Sequence, residues 1–255
     1  TGLAACASID DYRNGVILQH EKTLEAKEQD RIRHIDTCSA QTGPIFLTHR
    51  PDADLHGITD RIKRGDTLYD FTSSDGVRHQ VWKIENPDDI ENISRLYAGI
   101  PHLYIADGHH RAASAVKVGL ARRAADPGFS GTEAYNFFLC VLFPSDELKI
   151  YGYDRVVTDK NRYTFSSFLD MIKDDFDITR IGADPYRPAG KGEFGIYADG
   201  TWYRAQAHPA LLSDDPVSGL DVSILQDHIL GPVLGIRDPK TDQRIRFIGE
   251  IKGAD

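Results

Sequence analysis

The segment YIADGHHRAASAVKVGL, residues 104–120, places several chemically capable side chains in the turn between a predicted strand and a predicted helix. The N-terminal end of a helix presents unpaired backbone N–H groups and a positive partial charge, so anions bind there. Gly108 allows a ligand to approach the backbone closely, and Arg111 can hold a phosphate through two parallel hydrogen bonds. The pattern therefore favours the binding of a phosphate or a carboxylate at this turn.

Asp107, His109 and His110 complete the same turn, and they allow two interpretations. In the functional one, Asp107 orients the turn or holds magnesium, and the histidines help to bind phosphate. In the plainer one, Asp107 only caps the helix and both histidines are solvated. A metal site held by the histidines is disfavoured, because adjacent residues of a helix point in different directions and no third ligand lies at a diagnostic spacing.

The segment HEKTLEAKEQDRIRH predicts a helix from about His20 to Ile35 with few apolar residues. Helical spacing places four basic residues on one face: His20, Lys27, Arg31 and His34. One interpretation is a solvated, ion-paired helix, because four acidic residues balance these charges: Glu21, Glu25, Glu28 and Asp30. The other is a basic stripe that faces an anion, with Glu21 or Asp30 as a base or a metal carboxylate. The segment is not a zinc-protease HExxH motif, since position 24 is leucine.

The remaining patterns predict an α+β fold, because strands and helices follow one another without βαβ regularity. A strand that leads into a turn is expected in residues 1–12. Further strands are expected in residues 44–50, 137–144 and 148–157, and hairpins turn at Asp75–Gly76 and Asp199–Gly200. Helices are expected from Asn86–Pro87, from the DGHHR turn to about Ala124, and in residues 163–176 and 221–230. The character of the sequence changes near residue 160, which predicts a domain boundary there.

Bulk properties narrow the functional class. The 255 residues carry a net charge of −9, which argues against general nucleic-acid binding. Cys6, Cys38 and Cys140 are widely spaced, which favours free thiols in a reducing cytosol. No membrane-spanning run or signal peptide is evident, and a chain that starts at Thr1 without methionine predicts a missing N-terminal piece. GxxxxGK[ST], GxGxxG, GxSxG and the protein-kinase motifs are absent, so a bound nucleotide needs another architecture.

The run YIADGHHRAASA, together with NGVILQHEKT, KEQDRIRHID and AQTGPIFLT, resembles an uncharacterised bacterial and archaeal family whose members are often labelled as similar to ParB, the chromosome-partitioning CTPase. NFFLCVLFP, YDRVV, LDVSILQDHILGPVLGI and DQRIRFIGEIKG also match, so the resemblance covers essentially the whole chain. Family members extend further at both ends, which implies that this chain is an internal portion. The family's C-terminal motif usually reads RIDFVGGIRG, so Arg246 and Glu250 depart from it, and the reaction or its rate is expected to differ if that segment approaches the site.

More distantly, the turn is similar to the ParB and sulfiredoxin-like superfamily, in which a Gly-x-[His/Arg]-Arg segment at a helix start grips nucleotide phosphates. The resemblance implies phosphate binding by Gly108, His109, His110 and Arg111. Sulfiredoxins carry a reactive cysteine where this chain has His109, which argues against sulfinic-acid reduction. The superfamily also contains free-serine kinases, in which a glutamate deprotonates the substrate hydroxyl, and this implies phosphoryl transfer involving serine or phosphoserine. The negative charge and the lack of a helix-turn-helix signal argue against DNA binding.

The resulting hypothesis is a cytosolic α+β protein with a ParB/sulfiredoxin-like phosphate-binding domain in residues 1–160 and a smaller α+β part in residues 161–255. It expects a small anionic ligand, ADP or ATP with Mg²⁺ as a possible companion, and neither DNA nor a membrane as a partner. Glu21 is the candidate base, with Asp107 and His109 as further catalytic candidates; the other expected phosphate contacts are Gly108, His110, Arg111, His20, Lys27 and Arg31. The alternatives are a non-catalytic nucleotide sensor, a phosphoserine hydrolase, or an interaction protein with no ligand.

Overall fold

A computed structural model describes residues 1–21 and 23–249. The chain forms two compact units, one of residues Thr1–Lys149 and a second that begins at Ile150. Each unit combines helices with strands, which confirms the α+β class predicted from the sequence. The division falls before residue 160, where the sequence pattern predicts a boundary.

The first unit is built on a mixed five-stranded sheet. Its strands, with those of a separate hairpin, are β1 (Leu3–Ser8), β2 (Ile17–Leu18), β3 (Ile45–His49), β4 (Tyr69–Thr72), β5 (Arg78–Val81), β6 (Leu103–Asp107) and β7 (Phe137–Pro144). The sheet order is β1-β7-β3-β6-β2, and β6 runs parallel to β2 and antiparallel to β3. Because β2 and β6 are parallel neighbours, both end at the same edge of the sheet, and the chain that follows each one leads to the candidate site.

The helices of the first unit begin mostly at side-chain caps. They are α1 (Ile9–Arg13), α2 (Glu25–Cys38), α3 (Ala53–Ile62), α4 (Pro87–Ala98) and α5 (His109–Ala125). Ser8 and Asp52 accept backbone N–H groups at the starts of α1 and α3. Asn86 does the same for α4, whose first residue is Pro87, as the sequence predicts. Neither α2 nor α5 has a side-chain cap, so the N–H groups at those two helix starts are not satisfied in this way.

Small side chains allow α5 to pack closely in the core of the first unit. Ala112, Ala113 and Ala115 are buried. At Gly119 a Cβ atom would lie 2.3 Å from the carbonyl oxygen of Tyr135, so only glycine fits there. The surrounding core is formed mainly by strand residues, among them Ile17, Ile45, Leu47, Ile105, Phe138 and Cys140. This packing fixes the N-terminal end of α5 at the sheet edge.

The predicted hairpin of the first unit is also present. β4 and β5 pair in antiparallel register, and Gly76 in the turn has a φ of +81°. A positive φ is readily adopted by glycine, which explains the position of the turn.

The second unit contains two small antiparallel sheets. Its strands are β8 (Tyr153–Val157), β9 (Phe176–Gly182), β10 (Glu193–Ala198), β11 (Thr201–Ala207) and β12 (Ile245–Gly249), and its helices are α6 (Phe165–Ile172) and α7 (Asp221–Leu225). β10, β11 and β9 form one sheet, and β8 pairs with β12. The hairpin turn at Asp199–Gly200 is confirmed, and α7 continues into a π-helical stretch over Gln226–Leu230.

Three further expectations from the sequence concern residues 161–255. The helix predicted for residues 163–176 ends at Ile172, because Phe176 begins β9 and is buried in the core. Arg246 lies in β12 with its side chain exposed. Glu250 lies outside the described residues.

Two properties concern the described chain as a whole. None of its helices within residues 1–21 and 23–249 is both long and apolar enough to span a bilayer. Cys6, Cys38 and Cys140 are free thiols.

Candidate functional site

A cavity of about 570 Å³ lies at the N-terminal ends of α2 and α5. Its lining combines three acidic and three cationic side chains with two histidines and two small residues: Glu21, Asp30, Asp107, Lys27, Arg31, Arg111, His109, His110, Ala26 and Gly108. This volume is within the usual range for small-molecule sites. The structure thus brings together the two segments that the sequence marks for chemistry, the DGHHR turn and the region of residues 20–34.

The helix predicted from His20 begins later, at Glu25, so that prediction is wrong at its start. Leu24 is the N-cap residue, with an extended backbone at φ −89° and ψ 125°. Its N–H group donates to the ring of His110, 3.1 Å away, and this long-range bond favours the extended conformation. Consequently His20 does not share a helical face with Lys27. His34 is on α2 but does not line the cavity.

Helices α2 and α5 lie side by side and run in the same direction. Ser114 in α5 donates its hydroxyl to the carbonyl oxygen of Glu28 in α2, at 3.2 Å. Further along both helices, Arg122 donates to the carboxylate of Asp36 at 2.9 Å. Since the contacts advance along both helices together, both N-terminal ends open at the same cavity, and the positive ends of two helix dipoles meet there.

The first turn of α5 has an unusual charge for a helix start. Its N-cap is Gly108, with a φ of +98° and no side chain to satisfy the free N–H groups. The turn then contains His109, His110 and Arg111 and no acidic residue. An acidic side chain there would stabilise the helix, and a basic one does not. This end of α5 is therefore suited to an external anion.

Arg111 folds back over the turn and does not extend into solvent. Its guanidinium donates to the carboxylate of Asp107 at 2.7 Å and to the carbonyl oxygen of Pro44 at 2.5 Å. A Cβ atom at either Gly43 or Gly108 would lie 3.1 Å from this guanidinium. Two glycines thus make room for the arginine. Gly43 and Pro44 are site residues that the sequence reasoning missed, since nothing but the dipeptide TG before a predicted strand marked them.

His109 is a buried imidazole beside Glu21. The residue is only 4% exposed, and its ring meets that of His20 edge-on with centroids 4.5 Å apart. Its Nδ1 atom lies 3.7 Å from Oε2 of Glu21, beyond hydrogen-bond distance, and its buried Nε2 atom has no partner within the described chain. Burial lowers the pKa of His109, with a smaller contribution from His20, against the opposing effect of Glu21 and Asp107.

The first turns of α2 supply two cations to the cavity. Lys27 and Arg31 line it, and neither forms an ion pair with any residue in the described ranges. Asp30, between them, lies 3.6 Å from Arg33. These two cations beside a helix N-terminus are available to an anionic ligand, although Glu21, Asp30 and Asp107 line the same cavity.

Glu28 is the buried acidic residue of α2. It is 4% exposed, and its carboxylate accepts hydrogen bonds from Lys117 of α5 and from the hydroxyl of Thr23. The hydrogen bond from the Lys117 ammonium, followed by that from the Thr23 hydroxyl, lowers the pKa of Glu28. The hydrogen bond with Glu28 in turn raises the pKa of Lys117. This ion pair joins the two helices that form the cavity. Sequence reasoning counted Glu28 only among the balancing charges, because helical spacing does not show which acid faces a neighbour.

Residues 1–21 and 23–249 contain no group of three or more His, Cys, Asp or Glu side chains arranged to hold a metal ion. The potential metal carboxylates Asp30 and Asp107 line the same cavity without forming such a group.

The fold and the cavity together describe a two-unit α+β protein with a pocket of mixed charge at a pair of parallel helix N-termini. The chain belongs to DUF1015, a family of proteins of unknown function, whose model matches residues 1–223. Searches among curated proteins and among solved structures found no match. The match extends over the whole first unit, including the cavity, and into the second.

Proposed function

We propose that the chain is a nucleotide-dependent phosphotransferase that acts on a small hydroxy amino acid such as serine. The observation that carries the proposal is the position of Glu21. Its carboxylate, 59% exposed, lines the cavity at the start of α5, together with the unpaired cations Lys27 and Arg31. A base, a helix N-terminus and free cations are the components that phosphoryl transfer needs, since that reaction depends mostly on positioning and charge neutralisation.

In this proposal the first turn of α5 receives the phosphates. The backbone N–H groups of His109, His110 and Arg111 are the donors that a helix start leaves free. The guanidinium of Arg111 reaches the same place and has further N–H groups beyond those that bind Asp107 and Pro44. Lys27 and Arg31 neutralise charge from the opposite wall, and His20 contributes by packing against His109.

The transfer step follows from this arrangement. Glu21 takes the proton of the substrate hydroxyl, and the oxygen attacks the terminal phosphorus of the nucleotide. The bond from that phosphorus to its bridging oxygen breaks, and the shortened nucleotide leaves with the electron pair. ATP would become ADP, or ADP would become AMP. Mg²⁺ would enter with the nucleotide phosphates, near Asp107 and Asp30.

The choice of a nucleotide as the phosphoryl donor and of serine as the acceptor is supported by the distant similarity of the DGHHR turn to the ParB and sulfiredoxin-like superfamily, which includes free-serine kinases. The first unit would then be a domain of that kind. The net charge of −9 and the small volume of the cavity favour a small anion over a nucleic acid as the ligand.

The test is incubation of the protein with ADP or ATP, Mg²⁺ and serine, with mass spectrometry for phosphoserine. We expect product from the wild type and none above background from Glu21→Gln, while calorimetry gives both proteins similar nucleotide affinity. Nucleotide binding with no product from either protein would indicate the sensor alternative. Conversion of phosphoserine and water to serine and phosphate without nucleotide would indicate the hydrolase.

A further inference from the structure

We infer that His110 is a positioning residue, which holds the segment between β2 and α2 and thereby places Glu21 at the cavity. The inference deepens the proposed function, on which it rests only for the chemical task of Glu21. It assigns to the His110 side chain a contact within the protein in place of a contact with phosphate, and it leaves the backbone N–H of His110 free for the ligand.

The carboxylate of Glu21 makes no hydrogen bond of its own with the described residues, and the atom nearest to it in an ionic contact is His109 Nδ1, at 3.7 Å. Its position is therefore set by the chain on either side. On one side, His20 packs edge-on against the buried ring of His109. On the other side, the N–H group of Leu24 donates to Nε2 of His110 at 3.1 Å. Glu21 thus lies between two attachments to the histidines of the DGHHR turn, and the hydroxyl of Thr23 adds a third contact of the segment, to Glu28.

The contact of His110 lies at a helix start that has no side-chain cap. Leu24 is the N-cap residue of α2, and its own side chain cannot accept a hydrogen bond. His110 approaches this helix start from the neighbouring helix and accepts the N–H group of Leu24. It therefore helps to hold the extended backbone of Leu24, directly before the first residue of α2.

Acceptance at Nε2 requires an uncharged ring. A neutral imidazole that accepts at Nε2 carries its proton on Nδ1, and the protonated ring has no acceptor left. Protonation would then place an N–H group against the N–H group of Leu24 and release the segment.

The test compares two neutral amides that differ only in reach. His110→Gln places its Oε1 atom as far from the backbone as Nε2, whereas His110→Asn is one carbon shorter and cannot reach Leu24. Amide hydrogen exchange, followed by NMR, reports the bond directly. We expect the Leu24 amide to exchange about fivefold faster in His110→Asn, as loss of one hydrogen bond predicts, and near the wild-type rate in His110→Gln. Equal exchange rates in all three proteins would overturn the inference.

The position of the Leu24 amide resonance gives a second readout. It should lie close to its wild-type position in His110→Gln and move away from it in His110→Asn. An equal displacement in the two variants would count against the inference. Neither measurement depends on turnover. A wild type without phosphotransfer activity would therefore contradict the proposed function, whereas the role of His110 would still be tested by the exchange rate of the Leu24 amide. Where activity is found, His110→Asn should lower kcat about fivefold with little change in the KM for nucleotide, and His110→Gln should restore it.

Discussion

Asp107 and Arg111 form an ion pair across the first turn of α5, with Oδ2 of the carboxylate 2.7 Å from the guanidinium. The carboxylate accepts a hydrogen bond from the guanidinium of Arg111, as an anionic ligand would. Asp107 therefore takes up part of the guanidinium that a ligand would use and adds negative charge to the cavity that is proposed to receive it.

This competition predicts that Asp107→Asn tightens anion binding in the absence of magnesium. The variant removes one negative charge and weakens an exposed ion pair, which is worth up to about 1 kcal/mol, so phosphate affinity should rise by about threefold. Isothermal titration with inorganic phosphate and with ADP, both in the presence of a chelator, measures the change. Asp36→Asn, which alters an ion pair further along α5, is the control and should leave both affinities unchanged. Weaker phosphate binding in Asp107→Asn would show that the carboxylate organises the turn and does not compete.

Alanine substitutions at Gly108 and Gly43, the two glycines beside Arg111, should reduce the stability of the protein by different amounts. Gly108→Ala introduces a side chain at a φ of +98° and 3.1 Å from the guanidinium, so unfolding in urea should show a loss of about 1 to 2 kcal/mol. Gly43→Ala meets the same guanidinium at 3.1 Å without a positive φ, and the flexible arginine can shift. We expect Gly43→Ala to cost less stability while it still weakens phosphate binding. Equal stability of Gly108→Ala and the wild type would contradict the backbone assigned to this turn.

The unpaired cations of α2 predict a salt-dependent contribution to anion affinity. Lys27→Ala and Arg31→Ala should each weaken phosphate binding by about threefold at low salt, and by less at high salt, because exposed charges are screened. Arg33→Ala provides a matched control on the same helix, since Arg33 contacts Asp30 and does not line the cavity. If Arg33→Ala reduces the affinity as much as the other two variants do, general attraction by the surface accounts for binding.

The sequence is sufficient to predict those parts of the fold that depend on local signals. The caps at Asn86 and Pro87, the turns at Gly76 and Gly200, and the helix that begins after Gly108 are all in place. Each rests on a backbone preference of the residue itself, such as a positive φ or a missing N–H group. The sequence marks the DGHHR turn and the region of residues 20–34 by their clustered basic groups, but it cannot show that the two segments meet at one cavity.

The remaining features depend on contacts between distant parts of the chain. Leu24, directly before the start of α2 at Glu25, bonds to the distant His110, and no residue between His20 and Leu24 is a strong helix breaker. The strand β2 has only two residues, and it exists because β6 lies beside it. The end of α6 is similar, because Phe176 continues an apolar helical pattern but belongs to a sheet. Helical spacing alone also cannot show that Glu28, among four acids, faces Lys117.

The Glu28–Lys117 ion pair predicts how stability changes with pH. The pKa of Glu28 is lowered in the folded chain, so its contribution is complete above the ordinary glutamate value of about 4.3 and is lost as pH falls below it. The pKa of Lys117 is raised, so its contribution is complete below the ordinary lysine value and is lost as pH rises through the folded one. Glu28→Gln should therefore lower the free energy of unfolding at neutral pH by about 1 to 2 kcal/mol and flatten its decline in acid, as measured by urea titrations from pH 7 to pH 3. Glu91→Gln, an exposed change on α4, should leave both unchanged; an acid decline in Glu28→Gln as steep as that of the wild type would show that other carboxylates cause it.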